Sequence, residues 1–160
     1  MIVALYSVIK IILTVIDVVK DVEMGQFTVH GSINVNIQDR MLMFEGCGPW
    51  NLEAVKEAYS RFKPLVETLY GSPWGALAVL RGDPIYVPDA ANFIIKTIKY
   101  ERRKDYVASA ILVDESNSPE FAKRHLSELH TKAGDTFRFF SNQDEAAWWL
   151  LQKITSAEVK

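Results

Sequence analysis

The sequence predicts an α/β domain built on a mixed, mostly parallel five-stranded sheet, with helices on both faces and one antiparallel edge strand. Three observations predict it. Residues 74–80 (WGALAVL) and 106–113 (YVASAILV) are short and almost continuously apolar, as strands covered on both faces are. Helix-length segments alternate with them, which calls for crossover connections and a largely parallel sheet. Upstream of both, two strand-like runs separated by turn residues read as a hairpin, so the first strand falls antiparallel at an edge.

The elements follow in order. Residues 27–35 (FTVHGSINV) are the first expected strand and 40–45 (RMLMFE) the second, with Asn36 to Asp39 supplying the turn. Residues 46–50 (GCGPW) break the chain. Asn51 can cap a helix reaching Tyr70 and stopped by Gly71, with Leu52, Val55, Tyr59, Phe62 and Leu65 as its apolar stripe. Pro64 lies inside this helix and is expected to kink or split it. After the strand at 74–80, Pro88 and Asp89 open a helix that runs to Glu101. Ser118 caps the next, with Pro119 at its first position, Lys132 near its end and Gly134 beyond it. Residues 136–140 (TFRFF) are the last strand. Ser141, followed three residues later by Asp144, opens a final helix toward Thr155. No internal repeat, linker or low-complexity stretch interrupts this order.

Bulk properties narrow the function more than they name it. A chain of 160 residues suits one domain. It can bury roughly 70% of its unfolded surface, so neither a disulfide nor a metal is needed to hold it. A net charge of −2 exerts no global pull on nucleic acid, and no nucleic-acid partner is expected. The single cysteine, Cys47, excludes an internal disulfide and any cysteine-rich metal or cluster site, and it fits a reducing cytoplasm.

Residues 1–24 stand apart from the domain expected over 25–160. They are strongly apolar, yet they lack the basic start and the small-residue cleavage site of a secretory signal. Lys10 and Asp17 interrupt them, so no uncharged run reaches the ~18 residues of a spanning helix. Ser7, Lys10, Thr14, Asp17 and Asp21 fall on one helical stripe and leave a wide face of Ile, Val and Leu. An additional N-terminal helix is therefore expected, with its apolar face covered. Three covers are open: the domain itself, a second chain in a homo-oligomer, or a membrane surface. An upstream start, with Met24 opening the true domain, is the plainer alternative.

Recognisable chemistry is absent from the sequence. His125 and His130 are five residues apart on a helix, about 140° around it, and His30 lies on a hairpin strand, so no metal-ligand spacing emerges. No Walker loop, dinucleotide fingerprint or nucleophile elbow is present. Cys47 has neither a second cysteine nor an activating base beside it in sequence. No catalytic residue, no metal and no cofactor is expected, and the protein reads as a non-enzyme. Trp148 and Trp149 point about 100° apart on the last helix, so one belongs in the core and the other partly outside. Lys96, Lys99 and Arg103 recur at helical spacing with Arg102 and Lys104 beside them. They read as a solvated helix end or as a contact for an anionic headgroup.

Three segments carry a family resemblance: GPWNLEAV at 48–55, RRKDYVASAILVDE at 102–115, and the strand and helix over 137–150. With the opening hairpin they make the chain resemble the bacterial SpoIIAA-like family, relatives of STAS domains, over residues 26–152. The resemblance implies a SpoIIAA/STAS-like fold. It also implies one of two roles. One is a protein-binding regulator of the anti-sigma-factor-antagonist type, switched by phosphorylation of a serine at the start of the helix after the third strand. The other is a carrier of apolar small molecules, as in the lipid-carrying CRAL-TRIO domains of the same fold class. The switch proteins have an Asp-Ser-Ser-Gly-like turn where this chain has RGDPIYVPD at 81–89, and no Ser or Thr occurs from Pro73 to Lys96. A regulator without the usual serine is thus the second reading. The first is a module that binds a small apolar or amphipathic, lipid-like ligand, in the cytoplasm or at a membrane surface.

In an open α/β sheet, ligands sit outside the carboxyl ends of the parallel strands. That geometry nominates the loops there and, within them, Trp50, Arg81, Asp83 and Asp114 as ligand-binding residues.

Overall fold

A computed structural model describes residues 33–159 of the chain. The expected N-terminal helix, the strand residues before Ile33, and His30 lie outside the described residues. Five strands form one sheet in sequential order. They are β1 (Ile33–Gln38), β2 (Met41–Cys47), β3 (Trp74–Arg81), β4 (Tyr106–Asp114) and β5 (Phe137–Phe140). Four helices connect or cover them: α1 (Leu52–Glu67), α2 (Pro88–Glu101), α3 (Pro119–Ala133) and α4 (Gln143–Glu158). A 3₁₀ turn, Arg102–Lys104, joins α2 to β4.

Among the described residues only β1 runs antiparallel, pairing with β2 at the sheet edge, while β2 through β5 are parallel. Alternation along the strands divides the core in two. On one face Leu77, Val79, Ala108 and Ala110 pack under Ala146, Leu150 and Ile154 of α4. On the other, Leu42, Phe44, Trp74, Leu80 and Ile111 meet side chains from α1 and α3. Helices therefore cover both faces, three on one and one on the other. Each large aliphatic side chain so buried contributes about 1.5–3 kcal/mol before ordering costs.

The hairpin turn differs from its sequence expectation. Asn36 belongs to β1, and the turn is the pair Asp39–Arg40, both with positive φ (48° and 62°). Two consecutive left-handed residues make the tight turn whose twist matches the flanking strands. The misleading Asn36 belongs to a polar row, Asn34, Asn36 and Gln38, that alternates with Ile33, Val35 and Ile37. Arg40 is held in its uncommon backbone region by its own side chain, which donates to the carbonyls of Leu69, Ser72 and Pro73.

Pro64 does not split α1, which is continuous from Leu52 to Glu67. It stands in the last turn, where one missing backbone donor disturbs little of the helix. Beyond Glu67 the chain tightens into single turns through Tyr70 and leaves the helix at Gly71, whose φ is 88°. Asn51 caps α1 by accepting from the Ala54 amide at 2.9 Å, and Asn142, not Ser141, caps α4 by accepting from Glu145 at 3.0 Å.

Candidate functional site

Between the sheet and the three helices α1, α2 and α3 lies a cavity of about 190 Å³. Its walls follow from strand alternation. Leu42 and Phe44 of β2, Ala76, Ala78 and Leu80 of β3, and Ile111 of β4 all face it. The paired partners Leu42–Ala76, Phe44–Ala78 and Ala78–Ile111 place these side chains side by side on one face. Two small alanines in the central strand leave the room. From the helices come Val55, Ala58 and Phe62 of α1, Phe93, Ile94 and Ile98 of α2, and Leu126 and Leu129 of α3.

At the carboxyl end of the strands the wall is aromatic. Trp50 is 2% exposed and stacks on Tyr86. Tyr86 in turn stacks on His125, ring centroids 6.1 Å apart, and its amide donates to His125 Nε2 at 3.1 Å. That bond requires the Nε2 lone pair and fixes the neutral ring. Burial lowers the His125 pKa from its ordinary value; Glu128 opposes the shift and Lys132 adds to it. The Trp50 indole N–H has no hydrogen-bond partner among the described residues.

At the amino end of the strands the wall is polar. Glu101, the last residue of α2, is 5% exposed and lines the cavity. Its Oε1 accepts from the Tyr59 hydroxyl at 2.6 Å, whereas its Oε2 is buried and has no partner among the described residues. Burial first, then the bond to Glu101, pushes the Tyr59 hydroxyl well above its ordinary pKa. Burial first, then a hydrogen bond toward Glu101, does the same to Tyr70, whose hydroxyl stands beside that carboxyl without meeting strict hydrogen-bond geometry.

A second buried group lies alongside. The register shift between Trp74 and Gly75 opposes them to Tyr106 and Ala108, skipping Val107. That bulge turns Tyr106 and Ser109, three residues apart, toward the same face, and their hydroxyls share a hydrogen bond. Ser109 Oγ donates to Asp135 Oδ2, which His130 Nδ1 also meets at 2.8 Å. The Asp135 side chain is fully buried, and Arg102 Nη1 stands 3.8 Å from its other oxygen. Serine, aspartate and histidine are thus together, but both the hydroxyl and the imidazole engage the same carboxylate oxygen. The hydroxyl–imidazole contact that would activate a nucleophile is missing from this arrangement.

Of the four loop residues nominated by sequence, Trp50 enters the cavity wall. The other three join the loops to one another. Arg81 lies 3.5 Å from Glu45 and 3.7 Å from Asp114, and Asp83 accepts from Ser116 Oγ and the Asn117 amide. Lys96, Lys99 and Arg103 are exposed and outside the cavity lining. Trp149 packs against the core while its neighbour Trp148 is 66% exposed. Sequence reasoning missed Glu101 and its partners. The available signal was an acid at the end of the stripe Ile94, Thr97, Ile98, Glu101, a face otherwise turned inward.

Among the described residues no cluster of His, Cys, Asp or Glu could hold a metal ion, and no helix is long and apolar enough to cross a membrane.

Comparison with known proteins gives a fold. No family model matches the chain, and no curated protein matches it. Among solved structures it is similar to an uncharacterised protein of the DUF3478 family with a SpoIIAA-like fold, from Shewanella loihica. Identity is 21%, the match covers 79% of this chain and 98% of that one, and the TM-score is 0.50. The domain has a SpoIIAA-like fold.

Proposed function

We propose that the protein is a non-enzymatic module that binds a small apolar or amphipathic molecule in the cavity between the sheet and α1, α2 and α3. The observation that carries this reading is the cavity itself, about 190 Å³ in volume and walled mainly by aliphatic and aromatic side chains. Protein interiors are close-packed, and voids larger than a water molecule are few in a domain. An engineered apolar cavity of about 150 Å³ stays dry and takes up benzene. This one is larger, so a molecule of somewhat more than benzene size matches it. The lining is apolar along its length, with Tyr59, Glu101, Ser109 and His130 toward one end and the Trp50 indole N–H toward the other, an arrangement that suits an apolar body held between a few polar groups. The pairing of Ser109 and His130 with one carboxylate oxygen supports a binding role over hydrolysis.

Native mass spectrometry of the freshly purified protein tests this. A mass excess that disappears on denaturation in organic solvent, and is absent from Ala78→Leu, is expected. Protein of apo mass that shows no thermal shift with any benzene-sized compound would refute it.

A further inference from the structure

We infer that the chain's own residues 2–19 dock as a helix in a groove beside α4, on the half of the sheet that α4 leaves uncovered. The inference is independent of the cavity, which lies on the opposite face.

Among the described residues, α4 alone covers its face of the sheet, and it packs chiefly against β3, β4 and β5. A largely parallel sheet ordinarily carries helices across both faces. Beside α4, over β1 and β2, lies a groove of about 370 Å³. Its floor changes character across its width. Leu77, Val79 and Met43 lie on β3 and β2, and the row Asn34, Asn36 and Gln38 follows on the edge strand β1.

The flank of α4 that borders this groove is apolar. Leu150 is fully buried against the sheet, and its neighbours Trp149 and Leu151 stand about 100° to either side of it. Trp149 packs on Phe140 of β5, so Leu151 is on the flank turned toward β1 and β2. Leu151 is 39% exposed, and Trp148, one turn before it, is 66% exposed.

The chain itself supplies an occupant of matching chemistry. Ile33 pairs with Gly46 near the end of β2, so residues 1–32 lead into the strand that floors the groove. As a helix, residues 2–19 would measure about 27 Å, against about 24 Å for the 16 residues of α4. Residues 20–32 are long enough to return to β1, which sets the two helices antiparallel with Ile12 opposite Leu151. Leu5, Val8, Ile12 and Val19 centre the aliphatic face, which meets Leu151, Trp148 and Met43. The stripe Ser7, Lys10, Thr14 and Asp17 then turns outward, over the amides of Asn34 and Asn36. That polar row also disfavours a membrane as the cover, since it would be driven into the bilayer beside Leu151. The short tether favours this chain over a second copy, because it holds the segment at an effective concentration on the order of millimolar.

Hydrogen exchange on the full-length protein, read by mass spectrometry at low and at high protein concentration, tests the docking. Amides of residues 2–19 are expected to exchange about tenfold or more slowly than an unstructured chain, equally at both concentrations and without vesicles. Leu151→Asp puts a charge on the flank and should return the segment to unstructured rates while β3 and β4 stay protected. Phe121→Asp, the same kind of change at a 53% exposed position on α3, should leave the segment protected. A cysteine pair guards against a Leu151→Asp protein that does not fold. Ile12→Cys with Leu151→Cys, in Cys47→Ser, should close a disulfide within one chain under oxidised glutathione, whereas Ile12→Cys with Phe121→Cys should not. Unstructured rates in the unaltered protein, protection indifferent to Leu151→Asp, or a disulfide formed only between chains would overturn the inference. Protection that appears only at high concentration would assign the groove to a second copy, and protection only with anionic phosphatidylglycerol vesicles would assign the segment to a membrane; either result overturns it too.

Discussion

The rings of Trp50 and Tyr86 lie stacked, centroids 5.1 Å apart and planes inclined by 20°. The backbone supports the stack: the two residues form a parallel bridge, and the Trp50 amide donates to the Ile85 carbonyl at 3.3 Å. Gly46 completes the seat, since a Cβ there would come within 2.8 Å of the indole. The pair closes one end of the cavity with side chains from two different loops.

Trp50→Ala should therefore cost about 3–5 kcal/mol in unfolding free energy, the range for a large buried aromatic. Trp50→Phe, which keeps a ring against Tyr86, should cost clearly less. Urea unfolding curves measure both. Equal losses for the two variants would show that a ring kept against Tyr86 contributes nothing.

Acidification should weaken the domain through His125. Its folded pKa is depressed by burial, so the unfolded chain binds the proton more readily. The neutral ring's contribution is fully present above the unfolded value of about 6.5 and is lost as pH falls from there through the lower folded pKa. The unfolding midpoint in urea should drop between pH 7.5 and pH 5.5, and drop less in His125→Phe. Identical pH slopes in the two proteins would remove His125 as the cause.

Alkali should act in the opposite direction on the tyrosines. Burial raises the pKa of Tyr59, Tyr70, Tyr86 and Tyr106, so their contribution holds below the unfolded value of about 10 and is lost as pH rises beyond it. Tyrosinate absorbance is expected to rise in two stages, the second coinciding with loss of the near-ultraviolet circular dichroism. A single stage near pH 10 with the fold intact would contradict the burial of these hydroxyls.

Gly75 should not tolerate a side chain. A Cβ at this position would lie 2.6 Å from Leu150 Cδ1 and 2.9 Å from the Ala108 carbonyl oxygen. Leu150 is fully buried, and the carbonyl belongs to the neighbouring strand, so neither gives way easily. Gly75→Ala should lose about 1–3 kcal/mol, as overpacked cores do. Thermal unfolding followed by calorimetry decides it, and an unchanged midpoint would mean that α4 can move off the sheet.

Much of the fold was legible because its signals are local. The apolar runs now seen as β3 and β4, the Pro88 and Pro119 helix starts, and Gly71 and Gly134 after helices each announce an element by one property of the chain. The hairpin turn was misplaced because Asn36 has turn chemistry, while Arg40 owes its turn conformation to carbonyls from a distant loop. The site was harder to read for the same reason. Trp50 could be nominated from strand-end geometry. Tyr59 meets Glu101, and Ser109 meets Asp135, only across crossover connections, and nothing in their spacing reveals that a serine on β4 lies against an aspartate 26 residues later.

The cavity as the ligand site is tested most directly by mapping amide and methyl chemical shifts while the full-length protein is titrated with benzyl alcohol. The saturating shifts are expected at Ala58, Ala78, Ile98, Ile111 and Leu126, on the three helices and two of the strands that wall the cavity. Shifts confined to the loops around Arg81, Asp83 and Asp114, or to the exposed Trp148 and Leu151 on α4, would place binding elsewhere and contradict the cavity as the site.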